Sequence, residues 1–450
     1  MAKYGVDMRE GSVLKNHLRF ALPLMATSVL QLFYNAADQV VVGQFTGSHA
    51  LAAIGATGSL NLLIINLFMG LSIGAGIVIS RKYGAGDLYG LKKTAHSAVG
   101  VSFIMGFIAL IAGIVFCRPL LRIMGTPENV IDLSVLYMRI LFIGAPFVMV
   151  YNFGAAILRA VGDTKRPLYI LSVTGIVNVL LNLLLVIVFH LGVAGVAIAT
   201  ITANFLSASA VLYTLSKSDA PYRITFKNIK IFKDDVMDFI KIGLPAGVQS
   251  IMYNVSNAIL QSAINGFGTT VMAANTAAGG LEGFVYVSTN AFYQSTLTSV
   301  GQNYGAKNKK RIYKTLGAGI CCTTAAALII STLFMIFARQ LLGIYIADNP
   351  AAIEVGLQKM FITTIPYFLI GIMEQFGALL NGLGKAINSA VNAFVGTCLS
   401  RIVWALLIFP LNPTYNFLNM AYPVSWVITI ILNVVVFLFI KKKAMAQMMA

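Results

Sequence analysis

Charged side chains are scarce in this sequence. Asp, Glu, Lys and Arg together make up 10% of the 450 residues, whereas hydrophobic side chains account for 58%. An average soluble domain carries about 25% charged residues, so this composition excludes an ordinary water-soluble enzyme or binding module. The lipid bilayer is therefore the solvent for which this chain is built.

Cysteine is also rare, and the four cysteines form neither a disulfide framework nor a metal-ligand spacing. The sequence lacks the G-x-x-x-x-G-K-[ST] phosphate-binding motif, so it predicts no nucleotide-driven motor of that kind and no bound cofactor. A short apolar segment with a small-residue cleavage site is also missing at the N-terminus. We therefore interpret the first apolar stretch as an uncleaved membrane span.

Apolar stretches dominate what is present. Twelve of them follow one another, each of about 20 residues or more, which is the length of helix that crosses a bilayer. They predict an all-α polytopic membrane protein with helices near residues 18–42, 51–80, 94–117, 136–158, 167–189, 191–215, 239–264, 270–300, 315–337, 360–383, 387–411 and 419–440.

Basic residues are concentrated in alternate loops. The net charge of +17 would favour a nucleic-acid partner in a soluble protein. Here, however, the loops between helices 1 and 2, 5 and 6, 7 and 8, and 11 and 12 contain no Lys or Arg, whereas the loops of the opposite side are rich in both. By the positive-inside rule, this pattern predicts a plasma-membrane protein with both termini in the cytoplasm and no nucleic-acid partner.

The two halves of the chain resemble each other. Pro23 and Pro245 are 222 residues apart, and Tyr83 and Tyr304 are 221 residues apart, each pair within matching short motifs. We predict an N-terminal six-helix lobe at 1–215, a polar cytoplasmic linker at 216–238 and a C-terminal six-helix lobe at 239–450. Because each unit holds an even number of helices, the repeat is parallel, with a pseudo-twofold axis along the membrane normal. Two such lobes around a shared cleft favour transport.

Only three acids fall inside the predicted spans: Asp38, Glu282 and Glu374. Because an ionised carboxylate is costly in hydrocarbon, each is a candidate functional residue. Asp38 shares one helical face with Gln31 and Asn35. Helices 5 and 6 have similar polar faces, made of Thr174, Asn178, Asn182, Thr200, Asn204 and Ser207. Together they predict a polar cavity, in which the carboxylate binds Na⁺ among neutral oxygens or takes up H⁺.

The second half has a polar and aromatic wall. Aromatic faces attract organic cations, and flexible Met side chains adapt to substrates of different shape. We predict that a small-molecule substrate contacts Glu282, Tyr286, Tyr293, Asn254, Asn257 and Glu374. Arg401, a base inside the eleventh predicted span, is a candidate counter-ion of Glu374, and such a pair would be structural.

Several segments resemble the multidrug and toxic compound extrusion (MATE) family over nearly the whole chain. They include Asn35-Ala36-Ala37-Asp38, Gln302-Asn303-Tyr304-Gly305-Ala306, and Leu158-Arg159-Ala160-Val161-Gly162-Asp163-Thr164. The resemblance implies twelve helices in two lobes and antiport of Na⁺ or H⁺ against drugs that are often cationic and aromatic. We expect such a protein to act as a monomer surrounded by membrane lipid.

The resemblance also implies residue roles. Asp38 would be central to ion coupling, with Asn178, Asn182 and Thr200 around the ion and Asn35 beside them; if the ion is Na⁺, it would contact Asp38, Asn178 and Thr200. In two places the chain departs from its relatives: Asn182 stands where many of them have an acid, and Tyr253 stands about where another branch has one. Because a single carboxylate binds Na⁺ only modestly, we favour H⁺ as the coupling ion.

Two other functions compete with this prediction. A lipid-linked oligosaccharide flippase has a related two-lobed architecture, but it would be expected to line its cavity with basic side chains for a pyrophosphate group. A membrane-embedded enzyme would need a catalytic group such as paired acids or a nucleophile with its base, and none stands at a useful spacing. The sequence therefore favours a multidrug exporter and no enzymatic activity.

Overall fold

The computed structural model describes residues 5–46, 48–346 and 349–449. Within them the chain forms twelve long helical segments and no β-strand. The segments are α1 (Val13–Phe45), α2 (Ser48–Ala85), α3 (Leu88–Ile123), α4 (Glu128–Ile143 and Ala145–Ala160), α5 (Lys165–Val188), α6 (Gly192–Ser216), α7 (Lys233–Asn265), α8 (Thr269–Gly305), α9 (Lys309–Ile336), α10 (Pro350–Gly382), α11 (Ala386–Leu411) and α12 (Tyr415–Met448). A short helix, Ala338–Tyr345, precedes α10.

Most of these segments have the length and apolarity of membrane spans. Among the described residues, eight segments are long and apolar enough to cross a membrane. Segment α4 is a ninth if its two parts, which meet at 47°, are counted as one span. The segments α7 and α8 are more polar because they carry many of the Ser, Thr and Asn residues predicted to face the protein interior. The predicted all-α polytopic membrane fold is confirmed.

Segment α10 is interrupted in its middle. Its first helix ends at Thr363, a 3₁₀ turn covers Ile365–Tyr367, and the second helix begins at Phe368. Pro366 lies in this turn and has no backbone N–H to donate, which weakens the helical ladder at that point. The break separates Lys359 on the first helix from Glu374 on the second.

Backbone details repeat between the two halves. Asp87 caps the N-terminus of α3 by accepting from the Gly90 N–H at 2.8 Å, and Asn308 caps α9 by accepting from the Arg311 N–H at 3.1 Å. Gly162 has a φ of +92°, and a Cβ atom there would lie 2.1 Å from the Val6 carbonyl oxygen, so this position requires glycine. Gly384, 222 residues later, has a φ of +71°.

Contacts divide the chain into two compact units. The first unit contains the residues up to Asp7 and Ala26–Gly247, and the second contains Met8–Met25 and the chain from Val248 onward. Each border inside a helix lies two residues after a proline, Pro23 in α1 and Pro245 in α7. The lobe boundaries predicted from the repeat, 1–215 and 239–450, remain a prediction, because the contact units divide α1 and α7 in their middle.

The predicted linker, 216–238, is packed against α3 within the first unit. Asp235 is buried and accepts hydrogen bonds from Thr94 at 3.0 Å and Ser97 at 2.9 Å. The Lys93 ammonium lies 4.6 Å from the centroid of the Phe232 ring. The last residues of this segment are helical, since α7 begins at Lys233.

Candidate functional site

The first unit gathers polar side chains around Asp38 of α1. The Asn182 amide on α5 donates a hydrogen bond to the Asp38 carboxylate and another to Asn178 Oδ1 at 3.4 Å. The Asn178 amide reaches Thr200 Oγ1 on α6 at 3.5 Å. The predicted neighbourhood of Asp38, Asn178, Asn182 and Thr200 is therefore present in the structure, as a chain of hydrogen bonds across three helices.

This cluster holds an acid without a cation. Among the side chains that the structure describes, no Lys, Arg or His nitrogen lies within ion-pair distance of Asp38. The Asn182 Oδ1 atom is buried and accepts no hydrogen bond. A carboxylate beside amide and hydroxyl oxygens can bind a proton or a small hard cation. Over the same described residues, no group of three or more His, Cys, Asp or Glu side chains could hold a metal ion.

An apolar cluster borders the Asp38 site. Val41 and Val42 are buried one turn after Asp38, and they pack with Val186, Val193 and Val196 of α5 and α6. Tyr137 on α4 packs against these valines. The low dielectric of this cluster strengthens any charge interaction that Asp38 makes.

Glu282 on α8 is paired with a base. The Lys359 ammonium on α10 lies 3.5 Å from Glu282 Oε2, and the Thr363 hydroxyl donates to Glu282 Oε1. The sequence interpretation placed Lys359 just before the tenth span, which was wrong because α10 begins at Pro350 rather than at residue 360. Lys359 therefore lies inside the helix and is 5% exposed.

Glu374 on α10 lies in aromatic surroundings. Its Oε2 atom is buried without a hydrogen-bond partner, and Thr289 on α8 lies within hydrogen-bonding reach of the carboxylate. Tyr253, Tyr367 and Trp426 pack together with Met373, the residue before Glu374. Tyr293 is held in place by the Asn381 amide, which donates to its hydroxyl at 2.9 Å.

Arg401 forms no ion pair with Glu374, so it is not the counter-ion of that acid in the structure. Its guanidinium donates to Asn257 Oδ1 at 2.7 Å, Ser425 Oγ at 2.9 Å and Ser256 Oγ at 3.4 Å. The guanidinium also lies 4.6 Å from the centroid of the Tyr422 ring. Neutral oxygens and an aromatic face therefore stabilise this buried cation.

The remaining predicted residues have different surroundings. Asn35 and Asn254 are exposed, and the Asn254 amide donates to Ser250 O of its own helix at 3.1 Å. Tyr286 is 45% exposed, whereas Tyr293 is partly buried. Their roles, like those of the other predicted site residues, remain predictions. Sequence reasoning missed Tyr137 and Lys359; a lysine one residue before an assigned span was the only signal for the latter.

A family model and several known proteins are similar to this chain. The family model described as MatE matches residues 23–184 and 245–407, one match in each half of the chain. The probable multidrug resistance protein YoeA of Bacillus subtilis is 27% identical over 383 residues, which cover 84% of this chain and 82% of that protein. The multidrug export protein MepA of Staphylococcus aureus is 23% identical and aligns with 88% of this chain and 90% of its own.

Solved structures share the fold. An outward-facing multidrug resistance MATE family transporter of the MOP superfamily superposes with a TM-score of 0.90 at 24% identity, over 99% of both chains. A MOP superfamily transporter from Pyrococcus furiosus, described as having a binding pocket of reverse polarity, superposes with a TM-score of 0.88 at 23% identity, over 100% of this chain and 99% of that one.

Proposed function

This chain belongs to the MATE family, and from that premise we propose that it exports organic cations from the cell in exchange for an inward-moving H⁺ or Na⁺ ion. The curated relatives above are described as multidrug resistance or export proteins. The observation that carries the proposal is the Asp38 cluster, in which a membrane-embedded acid is surrounded by neutral hydrogen-bonding groups.

Asp38 is the proposed coupling residue. An acid in the membrane that lacks a basic partner is costly while ionised, and binding of a cation removes this cost. If the ion binds more tightly to one conformation of the transporter than to the other, its gradient shifts the equilibrium between them. The transported ion is then the energy source, and no resident cofactor is required.

We favour H⁺ over Na⁺ as the coupling ion. The cluster offers a single negative charge, whereas hard cations usually gather several charged or carbonyl oxygens. The buried Asn182 Oδ1 atom has no donor, and a protonated Asp38 could supply one after the amide rotates. For Na⁺ the available oxygens would be those of Asp38, Asn178 and Thr200, with Asn182 Oδ1 beside them.

The second unit supplies the proposed substrate surface. Glu374 carries the negative charge that attracts an organic cation, and the surrounding tyrosines supply aromatic faces. Tyr286 is exposed enough to contact a bound molecule. Glu282 belongs to the same helical face as Tyr286 and Tyr293, and its charge is offset by Lys359.

Gradient-driven transport of ethidium in proteoliposomes tests the proposal. A pH gradient should drive transport by the unmodified protein, and Asp38→Asn should reduce it to the level of empty liposomes while ethidium binding at equilibrium stays measurable. Asp132→Asn is the matched control, because Asp132 is 78% exposed in an ion pair with Arg118 and should leave transport unchanged. Full gradient-driven transport by Asp38→Asn would refute the role of Asp38.

The topology belongs to the same proposal. With both termini in the cytoplasm of a plasma-membrane protein, a cysteine near Lys227 should react with an impermeant reagent only from the cytoplasmic side. A cysteine near Asn412 should react only from outside. Labelling of the Lys227 position from outside would reverse the orientation, and analytical ultracentrifugation in detergent would test the expected monomer.

The flippase alternative gains no support from the site. Its expected feature was a cluster of basic side chains, whereas the buried Lys359 and Arg401 side chains of the second unit are separately engaged. Lys359 is held by Glu282, and Arg401 is held by Asn257 and two serines.

A further inference from the structure

Lys359 on α10 is a buried base of the second unit. Besides its ion pair with Glu282, the ammonium donates to the Asn275 backbone oxygen at 3.2 Å. The side chain of Asn275 is itself fixed, since its amide donates to Gln261 Oε1 at 2.8 Å and its oxygen accepts from the Tyr415 hydroxyl at 3.2 Å. The base is therefore held in one position by α7, α8 and the start of α12.

The carboxylate of Glu282 is equally well held. One oxygen faces Lys359 and the other accepts from Thr363, which lies one turn after Lys359 on the same helix. The Glu282 side chain is 17% exposed, so solvent screens this pair only weakly. Because the two charges are close and opposite, their fields largely cancel at the distance of a bound substrate.

Glu282 and Glu374 lie on two helices that pack against each other. Val285, one turn after Glu282 on α8, packs in one apolar cluster with Met373 of α10, the residue before Glu374. A cation bound at Tyr286 and Glu374 would therefore feel the charge state of the Glu282 pair. Arg401, the other buried base, is held by its own hydrogen bonds and does not take part in that pair.

We propose that Lys359 sets the charge preference of the substrate surface: by neutralising Glu282 it leaves Glu374 as the acid that a substrate meets, which favours singly over doubly charged organic cations. This inference rests on the proposed function, in which the second unit binds the substrate. Selectivity here is a difference of two affinities, and a neighbouring charge changes the affinity of a dication more than that of a monocation.

Ethidium and propidium test the inference, because they share one aromatic ring system and carry one and two positive charges. Their dissociation constants would be measured by fluorescence anisotropy on the purified full chain. Lys359→Met should raise the preference for propidium by about tenfold, since Glu282 becomes an uncompensated acid. Glu282→Gln should shift the preference in the opposite direction, because it leaves Lys359 uncompensated.

Two further variants separate charge from packing. Lys359→Arg keeps the positive charge and should keep the ratio of the two affinities, and the double variant Lys359→Met with Glu282→Gln should return the ratio to that of the unmodified protein. If Lys359→Met does not fold, Glu282→Gln and the double variant still decide the question. An unchanged ratio across folded variants would overturn the role of Lys359, whereas failure of the unmodified protein to bind either dye would instead refute the proposed function.

Discussion

The two contact units hold their membrane-embedded acids in opposite ways. In the first unit Asp38 is bound by an amide and has no cation beside it among the described side chains. In the second unit Glu282 has Lys359 as its partner, while Glu374 retains a buried oxygen without a hydrogen bond. An acid that must gain and lose an ion cannot have a permanent basic partner, because that partner would compete with the ion. The difference therefore supports the proposal that Asp38 carries an exchangeable charge and Glu282 a fixed one.

The two units also differ in how two of their helices contact each other. In the first unit Gly70 and Gly74 of α2 contact Gly243, Gly247 and the Phe239 backbone of α7. In the second unit the start of α1 contacts α8 through His17 Nδ1 and Ser295 Oγ, which are 2.6 Å apart. These are corresponding positions of the repeat, because 239 − 17 = 222 and 295 − 74 = 221. The crossing is retained in both units, but one uses backbone packing and the other a side-chain hydrogen bond.

Gly70→Ala should have the largest effect of the variants considered, because it disrupts the contact between α2 and α7. A Cβ atom at this position would lie 2.5 Å from Gly243 O and Gly247 N, which are backbone atoms that cannot rotate away. We expect a loss of about 2–3 kcal/mol in the free energy of unfolding. Gly58→Ala on the same helix is the control, since a Cβ atom there meets nothing within 4 Å and should not destabilise the protein. Thermal unfolding in detergent measures both, and equal midpoints would contradict the packing role.

Glu374→Gln should weaken binding of ethidium by about 30-fold, because it removes the negative charge that a cation meets in the second unit. A neutral aromatic drug should bind the variant as before, since the tyrosines remain in place. Equilibrium binding of both compounds measures the effect. An equal loss for the neutral and the cationic compound would indicate disturbed packing rather than a lost charge.

Asn182→Asp should increase the Na⁺ dependence of transport. A second carboxylate beside Asp38, Asn178 and Thr200 would give Na⁺ another charged oxygen, and we expect about tenfold tighter Na⁺ binding. The Na⁺ concentration that half-saturates transport in proteoliposomes measures it. Asn182→Gln keeps a neutral amide and should show no such gain; the same gain in both variants would exclude charge as its cause.

The helix caps should show the smallest effect. The Gly90 N–H, with help from the nearby Lys82 ammonium, lowers the pKa of Asp87 below its ordinary value. The stabilisation from this carboxylate is therefore present above the ordinary pKa and is lost as the pH falls through the lowered one. Asp87→Ala should cost about 1 kcal/mol at neutral pH.

Asp87→Asn sharpens that comparison, because it gives α3 the neutral cap that Asn308 provides for α9. It should retain most of the stability and lose the acid sensitivity of the cap, as read from unfolding midpoints between pH 7 and pH 3. A midpoint that falls equally steeply with pH in Asp87→Asn would place the acid sensitivity elsewhere.

Helices were the part of this fold that the sequence predicted well. Length and apolarity are local properties of a segment, so twelve spans could be placed by reading along the chain. The limits were less certain: the predicted start of the tenth span at residue 360 left Lys359 outside a helix that begins at Pro350. This error arose because polar residues near a span end do not distinguish a loop from a helix whose polar side chains are buried.

The sequence alone also predicted a common site for four residues, Asp38, Asn178, Asn182 and Thr200. Each lies on the polar face of its own helix, and polar faces avoid lipid. It could not determine which charges pair. Arg401 is bound to Asn257, 144 residues away, rather than to Glu374, and Lys359 neutralises Glu282 across two helices. Helical spacing fixes only the face on which a side chain lies; the rotation and depth of each helix in the packed bundle decide which side chain it meets.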